Sequence, residues 1–133
     1  MLTRTKLILL KQYRHALRDY IWEIPAGTLD PQESVISCAK RELIEETGYS
    51  ADQWYELGAI MPVPGYSDER INIFLAANLK PAERNLDKDE IIDIHEVGFY
   101  EALDMIKRGE IQDSKSISGL FLAHNWLKAN EKV

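Results

Sequence analysis

Apolar and polar residues follow two different patterns along the chain. Short apolar runs typical of buried strands occur at five places, and we expect strands at residues 7–10, 20–24, 55–61, 71–79 and 91–99. Apolar positions at helical spacing predict a helix over 101–108, stopped by Gly109, and a last helix capped by Asp113. Strands with covering helices indicate an α/β fold.

The segment after the second predicted strand carries signals for both ends of a further helix. Asp30 suits the N-cap, Pro31 the first helical position, and Glu33 the acidic position of a capping box. Gly48 can adopt the left-handed conformation that ends a helix. We therefore expect a helix that begins at Asp30 and ends at Gly48.

Three carboxylates lie on one side of this predicted helix. Glu42, Glu45 and Glu46 fall within a sector roughly 100° wide on a helix of 3.6 residues per turn. Such a cluster is unfavourable unless a positive charge lies among its members, and carboxylate oxygens are the ligands that Mg²⁺ prefers. A solvated acidic helix face is the alternative interpretation of the three glutamates taken alone.

The segment from Gly27 to Tyr49 matches the Nudix box at every fixed position. Gly27 is followed after five residues by Glu33, and after seven more comes Arg41-Glu42-Leu43-Ile44-Glu45-Glu46-Thr47-Gly48-Tyr49. The chain therefore resembles the Nudix hydrolases, which cleave nucleoside diphosphates linked to another moiety. The resemblance implies an α/β fold of the Nudix type, an α/β/α sandwich with a mixed sheet, in a single Nudix hydrolase domain over residues 1–133.

Residues outside the box resemble the ADP-ribose pyrophosphatase branch of that family. They are Gln12-Tyr13-Arg14, Glu23-Ile24-Pro25-Ala26-Gly27, Pro64-Gly65-Tyr66-Ser67-Asp68-Glu69, Asp89-Glu90, and Gly109 with Asp113-Ser114-Lys115. This resemblance implies metal-dependent hydrolysis of ADP-ribose, or of a related nucleoside diphosphate derivative, to AMP and ribose 5-phosphate. Alternatives are a pyrophosphatase acting on nucleotide sugars or nucleoside triphosphates, and a non-catalytic nucleotide sensor.

The family's metal ligands correspond to residues in and around the box. The resemblance implies that Glu42 and Glu46 are the principal ligands of Mg²⁺, with Mn²⁺ as a possible substitute. Glu45 is expected to be a third ligand or to lie directly behind the ligands. The carbonyl oxygen of Ala26 and the carboxylate of Glu90 complete the implied set.

The general base is expected in the segment Asp87-Lys88-Asp89-Glu90. Glu90 is the first candidate, followed by Asp89 and then Asp87, and Glu45 is counted with the catalytic carboxylates. Some relatives place the base two residues before Glu90, where this chain has Lys88. That departure leaves the choice among these carboxylates open.

Four residues are candidates for substrate binding. Arg14 can grip two phosphate oxygens with its guanidinium, although an arginine in solvent at a strand end is the alternative. Pro64 stands sixteen residues after Gly48, near the characteristic proline of the branch. It lies in the predicted loop 62–69, in which Glu69 is expected to contact a ribose hydroxyl. Gly27, at the start of the box, is counted with them.

Three further box residues are expected to be structural. Glu33 and Arg41 are predicted to form an ion pair that orients the loop and the helix, with independent surface charges as the alternative. Gly48 ends the helix. Cys38 lies inside the same helix without a His or Asp at helical spacing, which indicates packing rather than a nucleophile.

Composition limits the partners and the compartment. The 133 residues suffice for one domain, and a net charge of −6 argues against nucleic-acid binding, which needs a basic surface. The sequence shows no apolar run of membrane-spanning length and no signal-peptide pattern, so we expect no membrane partner. A single cysteine excludes an intramolecular disulfide and is typical of a reducing compartment, so a cytoplasmic location is expected.

The start of the chain bears on its oligomeric state. ADP-ribose pyrophosphatases usually carry a longer N-terminal segment with an extra strand, whereas this chain begins almost at its first predicted strand. The comparison implies that the N-terminal extension is absent. Because exposed sheet edges are usually covered or paired, we expect a homodimer.

Overall fold

The computed structural model describes residues 6–83 and 92–130. Within these ranges it contains the strands β1 (Lys6–Arg14), β2 (Asp19–Glu23), β3 (Tyr49–Ile60), β4 (Ile71–Pro81) and β5 (Ile92–Gly98). The helices are α1 (Val35–Thr47), α2 (Phe99–Lys107) and α3 (Ser114–Ala129). The eight elements predicted from the sequence are therefore all present and in the expected order.

Strand β1 lies at the centre of a three-stranded sheet and is buried on both faces. Its neighbours are β2 and β5, and both ladders are antiparallel. Because side chains alternate along a strand, Leu7 and Leu9 pack towards α2 and α3, whereas Ile8 and Leu10 pack with Ile92 in a second cluster. Burial on both faces explains why β1 appears in the sequence as a continuous apolar run.

Strands β3 and β4 form a second, two-stranded antiparallel ladder, which α1 and α3 both contact. The α/β class is confirmed. The mixed sheet implied by the family resemblance is not seen, because every ladder between the described residues is antiparallel. A short connection, residues 15–18, joins β1 to β2, and such connections favour antiparallel pairing. No helix within 6–83 and 92–130 is both long and apolar enough to cross a membrane.

Helix α1 begins later than the sequence predicts. Its N-cap is Ser34, whose side chain accepts a hydrogen bond from the Ser37 amide at 3.2 Å. Asp30 lies in a preceding turn, in which its amide donates to the Glu33 carboxylate at 3.0 Å. Gln32 adopts a positive φ of 64°, which a helix cannot contain, so the prediction that Asp30 caps the helix and Pro31 opens it is wrong.

The ends of α1 and α2 and the start of α3 follow the sequence signals. Gly48 adopts the left-handed conformation with a φ of 74°, and its amide donates to the Ile44 carbonyl at 2.9 Å. Gly109 follows α2, also with a positive φ. Asp113 caps α3 by accepting from the Ser116 amide at 3.2 Å. These predictions are confirmed.

Candidate active site

The loop after β2 packs directly on the acidic side of α1. Glu46 is buried, with 4% of its surface exposed, and its carboxylate accepts a hydrogen bond from the Ala26 amide at 3.1 Å. Gly27 lies so close to Glu42 that a Cβ atom at Gly27 would stand 1.9 Å from the Glu42 carboxyl carbon. Any side chain at Gly27 would therefore displace the Glu42 carboxylate.

Arg41 connects this loop to three glutamates. Its Nε and Nη2 atoms donate to the two carboxylate oxygens of Glu33 at 2.8 and 3.0 Å. Nη1 donates to Glu42 and to Glu45, at 2.9 Å in each case, and Nη2 also reaches the Thr28 carbonyl at 3.1 Å. The Glu33–Arg41 pair predicted from the sequence is present as a bidentate ion pair, and it joins the loop to the helix.

These contacts change the acidity of the groups involved. Hydrogen bonds from Arg41, followed by the backbone hydrogen bond from Asp30, lower the pKa of Glu33 to about 2. The same pair raises the pKa of Arg41 above its ordinary value. Burial raises the pKa of the Cys38 thiol, and the nearby Glu33 charge adds to that effect. Glu33 is therefore ionised at neutral pH, and Cys38 has the protonated character of a packing residue.

Two of the implied metal ligands on α1, Glu42 and Glu45, both contact Arg41. In the part of the chain that the structure describes, no three acidic, His or Cys side chains converge on a ready-made ion site. Instead, Nη1 of Arg41 is shared by Glu42 and Glu45. The donors at this place are carboxylate oxygens, the type that hard divalent cations prefer, so the residues fit such a cation by their chemistry.

A cavity of about 420 Å³ opens beside the loop, within the size range of small-molecule sites. Its wall includes Ala26, Gly27 and Glu42, and Glu69 joins them from the segment before β4. Much of the remaining wall is apolar. The structure thus brings Glu69 to the same cavity as the start of the box. Pro64 and Arg14 lie in described segments but do not line this cavity.

Arg14 instead contacts Glu23 at the end of β2. Its Nε and Nη2 atoms donate to the two Glu23 oxygens at 2.8 and 2.7 Å. Lys115 donates to the same carboxylate at 2.5 Å and to Asp113 at 2.9 Å. The hydrogen bond with Glu23 is the main cause that raises the pKa of Arg14, and the nearby charge of Glu46 contributes.

Glu23 and Lys115 were not identified by the sequence reasoning as site residues. Both stand in segments that resemble the ADP-ribose pyrophosphatase branch, yet the sequence does not show that their side chains meet. The available signal was the position of Glu23, a charged residue at the end of a strand and directly before Ile24-Pro25. The candidate bases Glu90, Asp89 and Asp87 lie outside the described residues.

Comparisons with known proteins identify a family model and relatives that this chain resembles. The family model described as NUDIX domain matches residues 1–120. An ADP-ribose pyrophosphatase of Bacillus subtilis (strain 168) is 41% identical over 113 residues, which cover 84% of this chain and 61% of the relative. A methanol dehydrogenase activator of Bacillus methanolicus is 41% identical over 114 residues, which cover 84% of this chain and 62% of that protein. The chain thus spans about three fifths of the length of these two relatives.

A solved structure described as an ADP compounds hydrolase superimposes with a TM-score of 0.89. The two sequences are 29% identical, and the match covers 98% of this chain and 71% of the other. This likeness confirms the expected α/β/α sandwich.

Proposed function

Because this chain belongs to the Nudix family, we propose that it hydrolyses the diphosphate bond of ADP-ribose, or of a related nucleoside diphosphate derivative, to AMP and ribose 5-phosphate. The observation that carries the proposal is the shared cavity wall of Gly27, Glu42 and Glu69. It joins the complete box to the one carboxylate that resembles a ribose-binding residue. The similarity to an ADP-ribose pyrophosphatase supports the same substrate class.

The proposed cofactor is Mg²⁺, which Mn²⁺ can replace. Glu42, Glu45 and Glu46 would hold it together with the Ala26 carbonyl and Glu90. When bound, the cation neutralises phosphate oxygens and orients the attacking water. The close packing at Gly27 keeps the Ala26 backbone beside Glu46, and Arg41 keeps Glu42 and Glu45 on one side of α1.

The proposed general base is Glu90, with Asp89 as the second candidate. A carboxylate at this place would take a proton from the attacking water, an assistance that contributes about 10² to 10⁴ in rate in other enzymes. Glu45 remains the third catalytic carboxylate. Its hydrogen bond to Arg41 holds its carboxylate beside that of Glu42.

The substrate is proposed to lie with its diphosphate between Arg14 and the box helix. Arg14 would contact phosphate oxygens, Gly27 would admit the diphosphate beside the loop, and Glu69 would accept a hydrogen bond from a ribose hydroxyl. The amide of Glu69 donates to Ser67 at 3.0 Å, which stabilises the turn after Pro64. This turn supports the role proposed for the Pro64 loop in positioning Glu69.

We also propose that the protein is a homodimer in the cytoplasm. Strand β2 lies at an edge of the three-stranded sheet, and pairing with a second copy would cover such an edge. The free, buried thiol of Cys38 is in keeping with a reducing compartment. Light scattering after size-exclusion chromatography would measure the oligomeric state directly.

The test of the proposed function is a substrate panel with Mg²⁺. It contains ADP-ribose, a nucleotide sugar and ATP, with products identified by chromatography. We expect kcat/KM for ADP-ribose to exceed that for ATP by at least about 10-fold, equivalent to about 1.4 kcal/mol of differential transition-state binding. Glu69→Gln should reduce this preference more than it reduces total activity. Glu56→Gln, an exposed change on β3, is the matched control.

The contrary outcomes separate the alternatives. Equal or better turnover of ATP or of the nucleotide sugar would refute the ADP-ribose assignment and leave a broader Nudix pyrophosphatase. Binding of ADP-ribose without turnover of any compound would instead support the nucleotide sensor.

A further inference from the structure

Glu23 is the most deeply buried charged residue among those described. Its carboxylate has 1% of its surface exposed, and the family resemblance assigns it no role. A buried carboxylate is unfavourable unless it is paired and hydrogen-bonded. Here Arg14 supplies two hydrogen bonds and Lys115 a third.

The position of Arg14 on the sheet explains how its side chain reaches Glu23. Glu23 is paired with Leu10 across the β1–β2 ladder, and Arg14 follows Leu10 by four residues, so all three share one face. The Arg14 side chain therefore lies back along the strand. Glu23 binds the Nε and Nη2 edge of the guanidinium, and Nη1 has no hydrogen-bond partner among the described residues. The Arg14 side chain is 44% exposed and is therefore accessible from solvent.

The same region is connected to the box helix. The Ile24 amide, next to Glu23, donates to Ser116 at 2.9 Å, and the Ala26 amide donates to Glu46. Glu46 is close enough to Arg14 for its charge to affect that guanidinium. The Arg14 side chain is therefore in the neighbourhood of Glu46, one of the carboxylates that are proposed to hold the cation.

We propose that Glu23 is a positioning residue that fixes the guanidinium of Arg14 for contact with a substrate phosphate. Lys115 donates to the same Glu23 oxygen as Nη2 of Arg14, so two cations hold the carboxylate in place. This inference rests on the proposed function, in which a diphosphate lies beside the box. A purely structural ion pair is the competing explanation, and it makes a different prediction for paired mutations.

The test is a double-mutant cycle with Glu23→Gln and Arg14→Met, read by KM and kcat for the best substrate in the panel. Glu23→Gln should raise KM about 10-fold, equivalent to about 1.4 kcal/mol, because the guanidinium loses its fixed orientation. We expect kcat to change less than about 3-fold, because the metal ligands are untouched. In the Arg14→Met background, Glu23→Gln should raise KM no further.

Two further variants keep the result interpretable. Glu23→Asp retains the charge and should fold even if Glu23→Gln does not, yet its shorter side chain should raise KM in the same direction. Glu101→Gln removes a carboxylate from the exposed pair with Arg108 and is the control, with KM expected to be unchanged. Multiplicative effects of Glu23→Gln and Arg14→Met would overturn the inference. So would a lower Tm with an unchanged KM in either Glu23 variant.

Binding of inorganic pyrophosphate with Mg²⁺, measured by calorimetry, separates this inference from the proposed function. A protein that binds pyrophosphate with the expected coupling but does not hydrolyse ADP-ribose would support the role of Glu23 and refute the substrate. A protein that hydrolyses ADP-ribose but shows no coupling between the Glu23 and Arg14 substitutions would support the substrate and refute the role of Glu23. The absence of both pyrophosphate binding and hydrolysis would overturn both.

Discussion

Arg41 and Arg14 each lie at the centre of a charged cluster, and the two clusters differ in their balance of positive and negative groups. In the box cluster, Arg41 contacts four carboxylates, those of Asp30, Glu33, Glu42 and Glu45. In the Arg14 cluster, Arg14 and Lys115 face Glu23 and Asp113. The box cluster has more negative groups than positive ones and so favours an added cation, whereas the balanced Arg14 cluster can offer its exposed guanidinium edge to an anion.

Burial explains why the two clusters can differ in this way. Glu23 is almost completely buried and needs full compensation, because an unpaired charge in the interior is strongly destabilising. Arg41 and Glu45 remain partly exposed, so water screens the excess negative charge. This difference supports the proposal that the two clusters have separate cation and phosphate functions.

The largest effect should come from Glu46, whose buried carboxylate lies beside the Ala26 amide. Glu46→Gln keeps the shape and can still accept that hydrogen bond, but removes one negative charge from the metal side of the site. We expect kcat to fall on the order of 10³-fold with an unchanged fold, because charge neutralisation and positioning carry most of this reaction. Steady-state kinetics with circular dichroism would measure both quantities.

Two controls accompany that measurement. Glu56→Gln, exposed on β3, should retain the activity of the wild type, and excess chelator should abolish it. Undiminished turnover by Glu46→Gln, or full activity in chelator, would contradict the metal assignment.

A smaller effect should come from Gly27, where the loop touches α1. A methyl group at this position must displace the Glu42 carboxylate, because its Cβ would stand 1.9 Å from the Glu42 carboxyl carbon. Since that side chain is flexible, we expect Gly27→Ala to fold but to lose about 10²-fold in kcat through misplacement of one ligand. In a Glu42→Ala background the same change should cause no further loss. A further loss there would show that Gly27 acts independently of Glu42.

The smallest effect should be a pH dependence of stability from the Glu33–Arg41 pair. The pKa of Glu33 is lowered from 4.5 to about 2, so the folded state binds this proton less readily than the unfolded state. The stabilisation is therefore present above about pH 4.5 and is lost as the pH falls towards 2. Urea unfolding of wild type and Glu33→Gln should differ by a constant amount near neutrality and converge in acid. An unchanged difference at pH 2.5 would contradict this assignment.

Local signals in the sequence predicted much of the fold and the acidic side of α1. A helix end depends on a few neighbouring residues, so Gly48 was sufficient to place the end of α1 and Asp113 the start of α3. Helical periodicity placed Glu42, Glu45 and Glu46 on one side of α1. The start of α1 was misplaced because Ser34 is an equally good cap, and the positive φ of Gln32 has no signature in the sequence.

The Arg14 cluster could not be predicted, because it is built from residues far apart in the chain. Glu23 is separated in the sequence by nine residues from Arg14 and by 92 residues from Lys115. Those contacts depend on the β1–β2 register and on where α3 begins. The role of Arg41 as a bridge to Glu42 and Glu45 likewise needed the actual side-chain positions, although its pairing with Glu33 followed from the motif.

The separate roles of the two clusters can be tested most directly by a Mn²⁺ titration followed by electron paramagnetic resonance. Wild type, Glu46→Gln and Glu23→Gln would be compared without substrate. We predict that Glu46→Gln weakens Mn²⁺ binding about 10-fold or more, because one negative ligand is lost. Glu23→Gln should stay within about 2-fold of wild type, since its carboxylate is paired with Arg14 and Lys115. Equal weakening by both variants, or by Glu23→Gln alone, would contradict the assignment of the cation to the box cluster.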